Sequence, residues 1–227
     1  MTQKTISLGM IALLISMIAV APVWAKKTLP EFNDEGMELV KNSELATVYA
    51  DPGADLSLYN KVMLMDATVA FRKNWKRDQN RGVSSMRVKD RDMEKIQSEV
   101  AELFKDIMTK ELIEGGYEMA DEPGEDVLLV KPAIVDLDVF APDIQTASRV
   151  NSYSESAGEM TLNLELFDSV TNDKIAKATD RQRDWRQGYM QWRTKVSNRA
   201  DARRMITVWA KALTSALNEA RSATPSD

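Results

Sequence analysis

Residues 160–185, MTLNLELFDSVTNDKIAKATDRQRDW, decide the fold class. Met160, Leu162, Leu164 and Leu166 alternate with Thr161, Asn163 and Glu165. A period of two sends the first set to one face of a strand and the second to the other, so this strand has one packed and one wet face. The tetrad Thr171-Asn172-Asp173-Lys174 is turn chemistry, and it feeds a further strand from Ile175 to about Trp185.

Upstream, residues 127–140, VLLVKPAIVDLDVF, read as another strand. It is apolar on both faces at first. From Ala133 it alternates, with Ala133, Val135, Leu137 and Val139 expected on one side. Pro132 cannot donate a ladder hydrogen bond, so it marks a bulge or an edge. Residues 61–71, KVMLMDATVAF, read as one strand covered on both sides.

Two segments carry the helical period instead. Over residues 90–114, Met93, Ile96, Val100, Leu103, Phe104, Ile107 and Met108 recur every three or four positions. Asp90 is the expected cap, and Gly115-Gly116 is the expected stop. Over residues 198–220 the stripe is Ala202, Met205, Ile206, Trp209, Leu213, Ala216 and Leu217, with Asn198 as cap.

The order is therefore β-α-β-β-β-α. Half-wet strands need a cover, and two amphipathic helices supply it. The expected fold class is α/β of the α+β type: a two-layer sandwich whose mostly antiparallel sheet is covered by two helices. Residues 26–60, broken by Pro30, Gly36, Pro52 and Gly53, read as an extended N-terminal arm before a single domain over 61–221, with a frayed tail at 222–227. Residues 72–88 read as a long basic loop.

The first 25 residues read as an address. Lys4 is followed by an apolar run of about 15 residues, then Pro22 and Val23-Trp24-Ala25. The run is shorter than the ~20 residues that cross a bilayer as a helix. Small residues at the last and third-last positions suit signal peptidase, so cleavage is expected between Ala25 and Lys26, with export to the periplasm and no transmembrane anchor in the mature chain.

Composition narrows the chemistry. The chain of 227 residues has no cysteine and no histidine. Disulfides, thiolate metal sites and the acylated cysteine of a lipoprotein are ruled out. Ser-His-Asp and Cys-His catalysis are ruled out as well. No cofactor is expected. The mature chain holds 29 basic against 35 acidic residues. Its positive charge is concentrated in residues 71–91, with eight Arg/Lys against two Asp, and in residues 180–204, with eight against three.

The second of these holds RQRDWRQGYMQWR (residues 181–193), where aromatics interleave with arginines. Arg72, Lys73, Trp75, Arg181, Arg183, Trp185, Arg186, Tyr189, Trp192 and Arg193 are the candidate binding residues. Such a surface suits bases and phosphates. An exported, acidic protein meets little nucleic acid, so the expected partner is an anionic envelope component or an envelope protein, and no nucleic acid. The plainer alternative is a loop whose aromatics roof the sheet. If both basic segments share one face, their charges add.

Asp136 and Asp138 stand two apart on a strand, which sets both on one face. A carboxylate pair suits glycan hydrolysis, the alternative function, or calcium given more oxygens. The plain reading is two residues on a wet face. A homo-oligomeric scaffold is the third reading.

Finally, VYADPGADLSLYNKV (48–62), AFRKNWKRD (70–78), GGYEMADEPGEDVLLVKPAIVDLDVFAPD (115–143), SAGEMTLNLELFDSVT (156–171) and NRADARRMITVWA (198–210) resemble an uncharacterised bacterial envelope family, domain of unknown function 3313. The resemblance spans about residues 38–217. It implies an envelope protein and transfers no catalytic residue. Many members resemble lipoproteins, from which this cysteine-free chain departs.

Overall fold

The computed structural model describes residues 29–81, 87–139, 152–154, 158–183, 191–193 and 195–223. Its elements run β1 (Glu38–Leu39), β2 (Thr47–Ala50), a 3-10 turn (Leu56–Leu58), β3 (Lys61–Leu64), β4 (Thr68–Phe71), α1 (Trp75–Gln79), α2 (Asp90–Glu114), β5 (Glu118–Met119), β6 (Val127–Val139), β7 (Ser152–Ser154), β8 (Gly158–Asp168), β9 (Lys174–Arg183), β10 (Gln191–Arg193) and α3 (Lys195–Ala223). Eight strands form one sheet in the order β1-β2-β9-β8-β6-β3-β5, with β4 also on β6; β7 and β10 pair separately. The β1-β2, β2-β9, β9-β8 and β8-β6 pairs are antiparallel, whereas β3 and β4 run parallel to β6. The α+β class and the mostly antiparallel sheet agree with the sequence reading.

One face of the sheet carries the core. Met160, Leu162, Leu164 and Leu166 are buried together with Leu128, Val130 and Ile134 of β6. Against them pack Leu103, Phe104, Ile107, Met108 and Leu112 of α2 and Ile206, Trp209, Leu213 and Leu217 of α3. Each large side chain so buried contributes about 1.5–3 kcal/mol. Ala216, expected in the α3 stripe, is exposed.

The opposite face stays half-wet, with Lys131, Asn163, Glu165 and Thr179 on it. There the Lys131 ammonium lies 4.1 Å from the Phe167 ring centre, shielding an apolar ring with a long cationic side chain.

Four local expectations are corrected. The segment 61–71 is two strands, not one. Asp66 interrupts it, turning outward to bind Lys105 of α2 at 2.7 Å, because a carboxylate does not stay in a covered strand. Two pieces of the segment read as an extended arm join the sheet, with β2 pairing with β9. The helix α2 starts at Asp90, and Asp92 accepts the Lys89 N–H at 2.8 Å, so Asp92 supplies the capping carboxylate in place of Asp90. The last helix begins at Lys195, ahead of Asn198.

Pro132 falls opposite the break between β3 and β4. Pairing of β6 with β3 ends at Val130, and pairing with β4 begins at Ala133. The Val130 carbonyl points to the β3 side, where it accepts the Met65 N–H. Two residues on, position 132 points the same way, into the gap, so its missing N–H costs no ladder bond.

The end of β6 carries the bulge. Its register against β8 shifts between Val135 and Asp138, and Asp136 has φ +52°. An aspartate tolerates this left-handed conformation, and the extra residue reverses the facing of the residues beyond it. Leu137 therefore turns inward with Ile134, while Ala133 and Val135 sit on the half-wet side, contrary to the simple alternation. Just past the bulge, opposite Val139, lies Gly158, with φ +146°, where a Cβ would stand 2.1 Å from the Asp138 carbonyl oxygen. Gly158→Ala is thus expected to lower stability by more than about 1 kcal/mol, read as a shift in the urea midpoint at unchanged m-value.

Candidate functional site

The site is built at the end of the sheet where β4 and β9 finish. Phe71 is opposite Leu137, Asp138 is opposite Glu159, and Glu159 is opposite Arg183. Directly opposed residues share a face, so Asp138, Glu159 and Arg183 form one row across β6, β8 and β9. Arg72, just past β4, closes the row: its Nε donates to Asp138 at 2.5 Å and its Nη1 to Asp78 at 2.9 Å. At the other side Arg181 donates to Glu159 at 2.5 Å, and Arg183 lies 3.9 Å from the same carboxylate. The row reads Arg, Asp, Glu, Arg.

Burial makes this arrangement firm at the Arg72 side. Asp138 is only 5% exposed, and a carboxylate so placed needs a cation beside it. The guanidinium bond to Asp78 holds that carboxyl below its usual range, and the same two carboxylates hold Arg72 charged. Asp138 retains one buried oxygen, Oδ1, without a hydrogen bond.

Asn74, at φ +65°, swings the chain into α1 and drives Trp75 inward. Trp75 is 1% exposed, stacks on Phe71 at 4.1 Å between ring centres and donates its indole N–H to the Val139 carbonyl at 3.2 Å. This corrects the expectation for Trp75: its ring is a peg in the interior, unavailable to a ligand. Its amphipathic neighbours send Lys73, Arg77 and Arg81 outward, followed by Arg87 and Lys89.

Both basic segments thus leave the sheet at one end. Both long helices start there as well. Lys76 meets Asp90 at the first turn of α2 at 2.6 Å. Trp209 of α3 reaches Asp180 near the end of β9, whereas Arg221 lies over Tyr117 at the opposite end. The positive poles of the two helix dipoles therefore add to the basic side chains.

Of the sequence candidates, Arg72, Lys73, Arg181 and Arg183 gather at this end. Arg72, Arg181 and Arg183 are committed to carboxylates, so their role is to fasten the strand ends. Trp192 and Arg193 lie on β10, where Trp192 pairs through its backbone with Tyr153. Trp185, Arg186 and Tyr189, and the cleavage positions Ala25 and Lys26, lie outside the described residues.

Asp136 and Asp138 part company: Asp136 is exposed at the bulge, and Asp138 is buried against Arg72. The facing carboxylate pair on which a glycan hydrolase would depend is not formed. Among the described residues no group of three or more acidic side chains is poised to hold a metal ion. The residue that sequence reasoning missed is Glu159. Its only signal was its place next to Gly158 at the head of the alternating strand.

Among the described residues no helix is long and apolar enough to cross a membrane. No curated protein matches the chain. In structure it is similar to a PelC dodecamer from Paraburkholderia phytofirmans, at 12% identity and TM-score 0.37, over 74% of this chain and 98% of that one. It is similar to a DUF330 protein from Xanthomonas campestris, at 12% identity and TM-score 0.37, over 76% and 93%. A DUF4136 family protein from Bacteroides thetaiotaomicron aligns at 10% identity and TM-score 0.35, over 77% and 95%. Residues 33–213 match the model of a protein family of unknown function, DUF3313, and with that span the chain belongs to this family.

Proposed function

We propose that the protein is an exported binding or assembly module of the cell envelope that works without catalysis and meets an anionic surface with the basic end of its sheet. The observation that carries this reading is the convergence of the two basic segments. Residues 72–89 and the stretch from Arg181 onward start from neighbouring positions of one sheet end. Arg72, Arg181 and Arg183 neutralise the carboxylates of the row and Arg77 pairs with Asp78 at 3.2 Å, so the outward charge falls to Lys73, Arg81, Arg87 and Lys89. Export to the periplasm rests on the leader and its expected cut before Lys26.

The test uses protein recovered from the envelope fraction, with Lys26 expected as its first residue. Its binding to vesicles with and without anionic phospholipid is compared at low and high salt. A basic side chain near such a surface is worth about 1 kcal/mol. Neutralising Lys73, Arg81 and Arg87 to Gln is therefore expected to weaken binding by about a hundredfold at low salt, and less at high salt. Equal binding by the triple variant, or binding indifferent to lipid charge, would overturn the proposal.

A further inference from the structure

At the far end of the molecule, among the described residues, four of the six buried side-chain polar atoms that lack a hydrogen bond belong to one neighbourhood: Tyr117 Oη, Thr214 Oγ1, and Arg221 Nε and Nη2. All meet the turn that ends α2. A Cβ on Gly115 would stand 2.3 Å from Thr214 Cγ2, and one on Gly116 would stand 3.9 Å from Arg221 Nη1. The Arg221 guanidinium carbon lies 4.2 Å from the centre of the Tyr117 ring. Thr214 and Arg221 are seven residues apart on α3, hence on one side of the helix, and a helical arginine leans back toward its own N-terminus.

A buried donor with no acceptor is rare in a native protein, and three residues in one place are rarer. The guanidinium has only donors and stays charged. The ring of Tyr117 and the negative pole of α2 offset part of that charge, but neither accepts the two N–H groups. The unsatisfied pair, Nε and Nη2, is the edge of the guanidinium that grips a carboxylate or phosphate with two parallel hydrogen bonds.

We infer that Arg221, Tyr117 and Thr214 form a closed site for a small oxyanion, a carboxylate or a phosphoryl group, held by the Nε/Nη2 edge and the two hydroxyls. The site lies apart from the basic sheet end and does not depend on the function proposed for it. In the structure this edge is sealed from solvent.

The experiment measures thermal unfolding of the full mature protein at constant ionic strength with inorganic phosphate or succinate. A saturable rise in Tm with phosphate, with succinate or with both is expected for the unaltered chain. The anion that acts identifies the ligand chemistry. Arg221→Gln is expected to abolish the rise. Tyr117→Phe, which removes an orphaned hydroxyl, is expected to keep the fold and to weaken the apparent affinity several-fold. It carries the test should Arg221→Gln fail to fold. No saturable rise with either anion, or the same rise in Tyr117→Phe and Arg221→Gln, would overturn the assignment.

Discussion

Trp209→Ala is expected to remove about 3–5 kcal/mol of stability through the cavity it leaves, and a further ~1–3 kcal/mol through the lost hydrogen bond to a buried carboxylate. Trp209 has no exposed surface, and its indole N–H donates to Asp180 Oδ2 at 2.8 Å. Asp180 is itself buried. Its other contacts are the Ala46 N–H on Oδ1 at 3.0 Å and the Gln182 amide on Oδ2 at 2.6 Å. One tryptophan therefore ties α3 to β9, and through Asp180 to the turn before β2. A domain of this kind has about 5–15 kcal/mol in total, so the alanine variant is expected to be largely unfolded at modest urea. Trp209→Phe separates the two contributions. It keeps most of the volume and loses the hydrogen bond, so it should cost roughly 1–3 kcal/mol. If the alanine and phenylalanine variants have equal urea midpoints, the packing account is wrong.

Trp75→Ala is the second large effect, expected at about 3–5 kcal/mol. Two ideas about this residue make opposite forecasts. A tryptophan on a binding surface can be truncated with stability changed by no more than about 0.5 kcal/mol, and only ligand binding suffers. A buried tryptophan that stacks on Phe71 and donates to Val139 cannot be removed so cheaply. Urea midpoints on Trp75→Ala decide between them. The consequence reaches the candidate site, because Trp75 holds α1 in place. Loss of the peg is expected to loosen Lys73, Arg77 and Arg81 and to weaken vesicle binding only through unfolding. Trp75→Phe preserves the stack and should retain most of both.

Much of this fold is written in local periodicity. The alternation of Met160, Leu162, Leu164 and Leu166 located β8 and its inward face, since side-chain direction along a strand depends on nothing but the pleat. The stripes of Leu103, Phe104, Ile107 and Met108, and of Met205, Ile206, Trp209 and Leu213, located both long helices for the same kind of reason. The basic segments were visible as charge, and part of the candidate site with them.

The misreadings share one cause. Alternation continued through Asp136 puts Asp138 on the same face, whereas a single extra residue between Val135 and Asp138 turns Asp138 toward Arg72, 66 positions away in the chain. Trp75 among lysines and arginines looks like a surface aromatic. It becomes a core residue because Phe71, in β4, is set against Leu137 of β6.

By itself, then, the sequence determined the two long helices and their apolar stripes, the strand β8 and its inward face, and where positive charge is concentrated, because each of these is settled within a few residues. Only the tertiary structure decided that β2 joins β9, that Pro132 faces the gap between β3 and β4, that Asp136 and Asp138 diverge, and that both basic segments leave one end of the sheet. Those outcomes depend on register between segments tens of residues apart, and register is set by the packing of the whole core and by a bulge whose place no short window of residues announces.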